Sequence, residues 1–300
     1  MNARPAPVAA FGVAALGIAL FSAMDGLMKG LTLDIGAYNA LLWRGLAAVP
    51  ISGMLYAWQR RGGWPSRAAL RIHFVRGAVG AVMAILFFWG LAYVPLAQGV
   101  ALSFIAPVAA LFLAALLLKE RIGRVTVAAT VLAFAGVVVI LTGQARAELG
   151  PQAMLGSGAI LLSALCYAWN IILMRQQAQI AGPAEVAFFQ SLFMGLCIAL
   201  AAPWFAQAPG VVHAPALIGS ALLATGSLLL LGWAYSHAEA NYLAPVEYTA
   251  FIWATLIGWL LFDEHVSGLT VIGAGMIVTG CVISAGQRKG PPVHVETATI

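Results

Sequence analysis

Six ionisable side chains stand inside long apolar runs of the sequence: Asp25, Lys29, Arg44, Arg76, Glu185 and Glu247. A charge at the centre of a bilayer costs about 2.5–3.5 kcal/mol on insertion scales, so such a group normally faces a partner or a cavity. Arg44, within Leu41-Leu42-Trp43-Arg44-Gly45, carries a planar fork able to grip a carboxylate with two hydrogen bonds. An amino acid or an organic anion would need that recognition. The plainer reading of Arg44 is a buried arginine tying helix-end or loop carbonyls together. Asp25 and Lys29, four residues apart, share a helix face and read as an ion pair. Arg76, about one turn inside its run, reads as snorkelling to lipid headgroups. Glu247, which follows Pro245, is a candidate carrier of a coupling proton, or else a structural partner of Arg76 or of a backbone N–H.

Aromatic residues in the same runs include Trp43, Trp89, Tyr93, Phe104, Tyr167, Trp169, Trp233, Tyr248 and Trp253. With Asn39, Ser103, Asn170, Gln190, Ser227 and Thr249 they fit an apolar pocket carrying a few polar anchors. Belt and packing roles are the commoner fate of Trp and Tyr in membranes. Other chemistry is missing. His73, His213, His237, His265 and His294 are scattered without ligand spacing. Cys166, Cys197 and Cys281 form no C-x-x-C and read as small buried hydrophobes. There is no G-x-x-x-x-G-K-[ST], no H-E-x-x-H and no G-x-S-x-G. The expectation is a protein that is no enzyme, holds no metal or cofactor, and burns no ATP itself.

The elements positioning these residues follow from composition. The 300 residues are 62% hydrophobic and 8% charged, against about 25% charged in ordinary soluble domains. A soluble enzyme or a secreted disulfide scaffold is excluded; a polytopic helical membrane protein fits. The net charge of +5 is spread over short gaps rather than along a basic stripe, so nucleic acid is not a partner.

A crossing helix needs about 20 largely apolar residues. Ten segments qualify: 8–30, 36–58, 70–94, 97–118, 124–143, 153–176, 184–206, 213–236, 241–262 and 267–286. Pro107 and Pro245 are candidate hinges, helped by Gly90, Gly99, Gly226 and Gly232. Gly77, Ala81, Gly273, Gly275 and Thr279 read as close helix packing. With the N-terminus inside, Arg4, Arg60, Arg61, Arg67, Arg71, Lys119, Arg121, Arg124, Arg175, Arg288 and Lys289 fall on the inner side. Only Lys29 and Arg146 fall outside, so both termini are expected in the cytoplasm.

Leu116-Leu117-Leu118-Lys119-Glu120-Arg121-Ile122 recurs as Leu260-Leu261-Phe262-Asp263-Glu264-His265-Val266, an offset of 144 residues. Ser22-Ala23 matches Ser163-Ala164, Ala92-Tyr93 matches Ala234-Tyr235, and Gln190 is the counterpart of Arg44. Two five-helix units follow, 1–149 and 150–288, with a disordered tail over 289–300. Because five is odd, the second unit enters the membrane inverted. Inverted repeats of this kind commonly rock about a midplane site. Glu120 and Glu264 precede helices and read as favouring their positive N-termini.

These features, with Ala244-Pro245-Val246-Glu247-Tyr248-Thr249 and Gly258 through Glu264, resemble the EamA branch of the drug/metabolite transporter superfamily. The resemblance covers residues 8–286 and extends to the ten-helix YddG-type amino-acid exporters. It implies a carrier of the cell inner membrane exporting amino acids or similar small metabolites, surrounded by lipid and working as a monomer. Uptake of a nucleoside derivative or a vitamin is the alternative, and an integral membrane enzyme or a channel is less well supported.

Overall fold

The computed structural model describes residues 7–59, 64–118, 124–146, 150–178, 180–238, 243 and 246–286, and every regular element among them is a helix. The chain opens with α1, Pro7–Gln59, which is bent at Gly36 (φ 79°, ψ 152°). That conformation suits a residue without Cβ. The expected short loop between the first two segments is therefore a single-residue corner in a nearly continuous helix. Residues 7–35 and 37–59 form its two limbs, each longer than the about 20 residues a crossing needs.

Next come α2 (Arg67–Leu91), α3 (Leu96–Ser103), α4 (Ile105–Leu118), α5 (Arg124–Arg146) and α6 (Gly150–Ala178). Then follow α7 (Pro183–Ala199), a short α8 (Ala202–Phe205), a 3₁₀ turn at Val211–His213, α9 (Ala214–His237), α10 (Ala250–Phe262) and α11 (Gly268–Gly286). The expected segment 97–118 is split into α3 and α4 at Phe104. Pro107 explains the split, since it cannot donate to the carbonyl of Ser103 and its ring crowds that carbonyl. Pro245, the second candidate hinge, and the tail over 289–300 lie outside the described residues.

Val8–Gln59, Arg67–Leu91, Gly150–Met174 and Val211–Tyr235 are long and apolar enough to cross a membrane, and shorter apolar helices accompany them. Their outer faces expose Leu16, Val131, Val138, Leu228, Leu229, Leu260 and Ile272. So wide an apolar surface suits lipid and not water.

The first limb of α1 packs on α9 and α10, the second on α7. Helix α2 packs on α6 and α7, α4 on α6, and α5 on α11. Small residues permit the closest approaches. A Cβ on Gly136 would lie 2.6 Å from the Gly273 carbonyl oxygen, and one on Gly77 only 2.5 Å from Phe193 Cβ. Gly275 departs from the packing expectation: it faces open space, and Thr279 Oγ1 on the same exposed face donates to its carbonyl at 2.7 Å. The small residues of α11 occupy more than one face, and only the Gly273/Gly280 face meets α5.

Candidate functional site

Helix α1 folds back on itself at Gly36, and this brings Asp25 of the first limb near Arg44 of the second. Asp25 is 6% exposed, and Arg44 reaches the side chain of the residue before it, Met24. No described residue hydrogen-bonds to the Asp25 carboxylate or lies within 4.0 Å as an ion-pair partner. Arg44 has one weak contact, Nη1 to Met24 Sδ at 3.6 Å, and its buried Nε–H has no acceptor. On α7, packed against the second limb, the buried Oε1 of Gln190 also lacks a donor. Buried polar groups are normally satisfied, so the unsatisfied ones invite explanation.

The expected pairing of Asp25 with Lys29 does not occur. Lys29 donates to Glu264 Oε1 and to the Val94 carbonyl, the latter at 2.6 Å, with Nζ 5.3 Å from the Phe262 ring centre. A flexible four-carbon stem lets lysine choose a partner across the bundle over one on its own helix. Glu264 was expected at the N-terminus of the helix that follows it, but it serves another helix. Its Oε2 accepts the Leu96 N–H at the start of α3, 2.7 Å away. Local structure explains the aim. Asp263 takes the left-handed conformation at the end of α10 (φ 54°), which Asp tolerates better than most residues, and turns the chain back. Gly258 leaves room, since a Cβ there would lie 2.8 Å from Glu264 Oε2. An open cavity of about 320 Å³ borders this cluster, lined by Lys29, Leu33, Tyr93, Pro95, Phe262 and Glu264.

Farther along α2, toward the opposite end of the bundle, a second network ties α2, α6 and α7. His73 Nε2 faces Glu185 Oε1 at 3.1 Å, and its Nδ1 meets the Gln177 amide nitrogen. Gln177 Oε1 accepts from Arg76 Nη1, and Arg76 Nε donates to Asn170 Oδ1 at 3.0 Å. These roles are mutually consistent if His73 carries its proton on Nε2. The His73 ring stacks on Phe189, with centroids 4.9 Å apart. Arg76 therefore does not snorkel to headgroups: partners on α6 bind its guanidinium inside the bundle. The sequence reading missed Gln177 altogether and treated His73 as isolated. Their spacing of 104 residues carries no local pattern, and Gln177 lies in the polar stretch Arg175-Gln176-Gln177, past the end of the expected segment 153–176.

The remaining candidates fall into smaller groups. Asn39 Oδ1 accepts the Gln207 N–H at 2.8 Å and Trp43 Nε1 donates to the Gln207 carbonyl at 2.8 Å, so both hold the segment after α8. Trp89 and Tyr93 meet edge to face, 5.0 Å apart, with Trp89 partly exposed. Ser103 Oγ donates to the Gly99 carbonyl within α3. Phe104 and Tyr248 pack edge to face at 5.4 Å. Cys281, more than a buried hydrophobe, directs Sγ to the Phe104 carbonyl at 3.1 Å, at the junction of α3 and α4. Trp169 is half exposed and away from these groups. The Trp253 Nε1 is buried without an acceptor among the described residues. Glu247, exposed overall, accepts from the Tyr235 hydroxyl at 3.0 Å and forms no pair with Arg76. Pro107 is exposed in the first turn of α4. Among the described residues no group of His, Cys, Asp and Glu could hold a metal ion.

An apolar helical bundle with buried charges suits a membrane transport protein. The EamA-like transporter family model matches residues 9–142 and again 154–286. The chain belongs to that family, within the drug/metabolite transporter superfamily. It is 27% identical over 276 residues to the pseudopaline exporter CntI of Pseudomonas aeruginosa strain UCBPP-PA14, covering 90% of this chain and 93% of that one. It is 28% identical to a riboflavin transporter of Rhizobium johnstonii (91% and 89% covered) and 26% identical to one of Vibrio cholerae (69% and 68%). A crystal structure 18% identical in sequence superposes with a TM-score of 0.58, covering 95% of this chain and 100% of that one, which supports the fold.

Proposed function

We propose that this membrane transporter is a secondary carrier of the cell inner membrane. It exports amino acids or similar small metabolites by alternating access between two inverted five-helix halves. The observation that carries this reading is the buried Nε–H of Arg44 on α1, one of the polar atoms left without a partner among the described residues, in a helix that packs on α7 and α9 of the second half. Leaving such groups unpaired costs about 1–3 kcal/mol each, a cost that a polar substrate would offset on binding. Arg44 is the proposed carboxylate clamp, and Glu247 remains the candidate carrier of a coupling proton.

Several contacts support the inverted arrangement. Adding 144 carries Ala129 onto Gly273 and Gly136 onto Gly280, and the close approaches are Gly136 with Gly273 and Ala129 with Gly280. The contact set thus maps onto itself, as a two-fold axis between the halves requires. The same shift carries Phe104 onto Tyr248, its own contact. In a rocking cycle the Lys29–Glu264–Leu96 tie would close one end and the His73–Gln177–Arg76 network would brace the other. Export follows the kinship with the pseudopaline exporter. Uptake of a vitamin-like molecule has its own support in the riboflavin transporters.

Counterflow tests the reading. Proteoliposomes preloaded with a mixture of amino acids should accumulate labelled amino acid, and empty vesicles should not. Exchange of labelled riboflavin alone would favour the second reading, and exchange of neither would count against the carrier.

A further inference from the structure

We propose that Asp25 and Arg44 form a two-charge reader, so that the substrate must carry a cationic and an anionic group close together. The inference rests on the carrier reading and deepens it. Arg44 alone would accept any carboxylate; Asp25 adds a second, opposite requirement.

Asp25 carries the argument. A carboxylate 94% buried (6% exposed) in an apolar helix without a hydrogen bond or ion pair among the described residues is costly. The donor that could have served it, Lys29 one turn along α1, turns instead to Glu264 and the Val94 carbonyl. The second candidate, Arg44, reaches the Sδ of the adjacent Met24 with Nη1 at 3.6 Å but lies outside ion-pair distance of Asp25, with its Nε–H unused. An acid and a guanidinium held near one another and left unjoined suit a ligand that joins them. An ammonium meets the Asp25 carboxylate, and a carboxylate meets the Arg44 guanidinium by a charge-assisted pair. A neutral ring system would leave both charges unpaired, and so would a simple organic anion leave Asp25. Sites built around buried polar groups reject such analogues because those groups then lose their partners. The same arrangement explains why the fold places Gly36 between the two limbs: the single corner residue brings positions 25 and 44 to one level of the bundle.

The test is competition in the counterflow assay, using the labelled amino acid that exchanges fastest. Its unlabelled parent, its N-acetyl derivative (anion only) and its carboxamide (cation only) are compared as inhibitors, with labelled riboflavin run in parallel. In the wild type the parent should compete at least about tenfold better than either derivative, the loss of one charged hydrogen-bonded contact. Asp25→Asn should remove the disadvantage of the N-acetyl derivative, and Arg44→Gln that of the carboxamide. Equal competition by parent and N-acetyl derivative in the wild type overturns the inference, whatever the variants do. So does riboflavin exchange without amino-acid exchange, a result that leaves the carrier reading standing. Failure of every probe removes both.

Discussion

Two of the buried polar groups in this bundle are built on opposite principles. Around His73, each donor finds an acceptor: Glu185, His73, Gln177, Arg76 and Asn170 form one connected chain between α2, α6 and α7. Around Arg44 the reverse holds: among the described residues its Nε–H has no acceptor, and Asp25 has neither a hydrogen bond nor an ion pair. A satisfied network in low dielectric rigidifies the helices it joins. An unsatisfied set spends stability and keeps its hydrogen-bonding capacity for something that arrives later. Charge in the interior is therefore not by itself a mark of function; unspent charge is.

The largest effect should come from deleting an arginine on each side of that contrast. Arg76→Leu strands Gln177 and Asn170 without their donor and should cost about 3–5 kcal/mol, the toll for breaking a buried charged network. Arg44→Leu removes a group with no strong partner, so unfolding in detergent should be unchanged or delayed while exchange is lost. The measurement is thermal unfolding of both purified variants beside their counterflow rates. Equal destabilisation by the two would erase the distinction between the regions.

A more selective probe keeps the charge of Arg44 and removes its shape. Arg44→Lys should slow the exchange of carboxylate-bearing substrates by about 10- to 100-fold, corresponding to one or two charge-assisted bonds. Analogues without a carboxylate should lose far less. An equal loss for both would mean that Arg44 supports the helix and not the ligand.

The sequence carried the fold farther than the site, for a physical reason. Hydrophobic run length and the Leu116–Ile122/Leu260–Val266 repeat are local, and they led directly to helices at nearly every expected segment. The exceptions came from single residues: Gly36 fused two segments into α1, and Pro107 divided one into α3 and α4. Partner choice is not local. Lys29 had a carboxylate four residues away and took one 235 residues away, because Asp263 and Gly258 aim Glu264 at it. The spacing rule for helix faces describes an isolated helix, and neighbouring helices override it here. Arg44 was legible as an arginine in an apolar run; that its Nε–H stays unused was visible only in three dimensions.

Glu247 lies between the two extremes, with one hydrogen bond from Tyr235 and an otherwise exposed side chain. If it carries the coupling proton, Glu247→Gln should flatten the pH dependence of exchange while leaving exchange itself measurable at every pH. An unchanged pH profile would remove Glu247 from coupling and turn attention to the buried carboxylate of Asp25.

The smallest expected effect belongs to Cys281, whose thiol contacts the Phe104 carbonyl at the junction of α3 and α4. A thiol is a weak donor, and the bond should contribute no more than about 1 kcal/mol. Cys281→Ser retains a donor at the same point and should shift unfolding by little. Cys281→Ala removes that weak contact and should lower stability by up to about 1 kcal/mol, with the gap left by the sulfur adding to it. The pair is informative because Phe104 and Tyr248 touch beside this bond and are related by the repeat. If Cys281→Ala also changes exchange rate while Cys281→Ser does not, then the α3–α4 break belongs to the moving part. If both leave transport alone, the break is a fixed consequence of Pro107, grouped with the satisfied network and not with the open pair at Arg44.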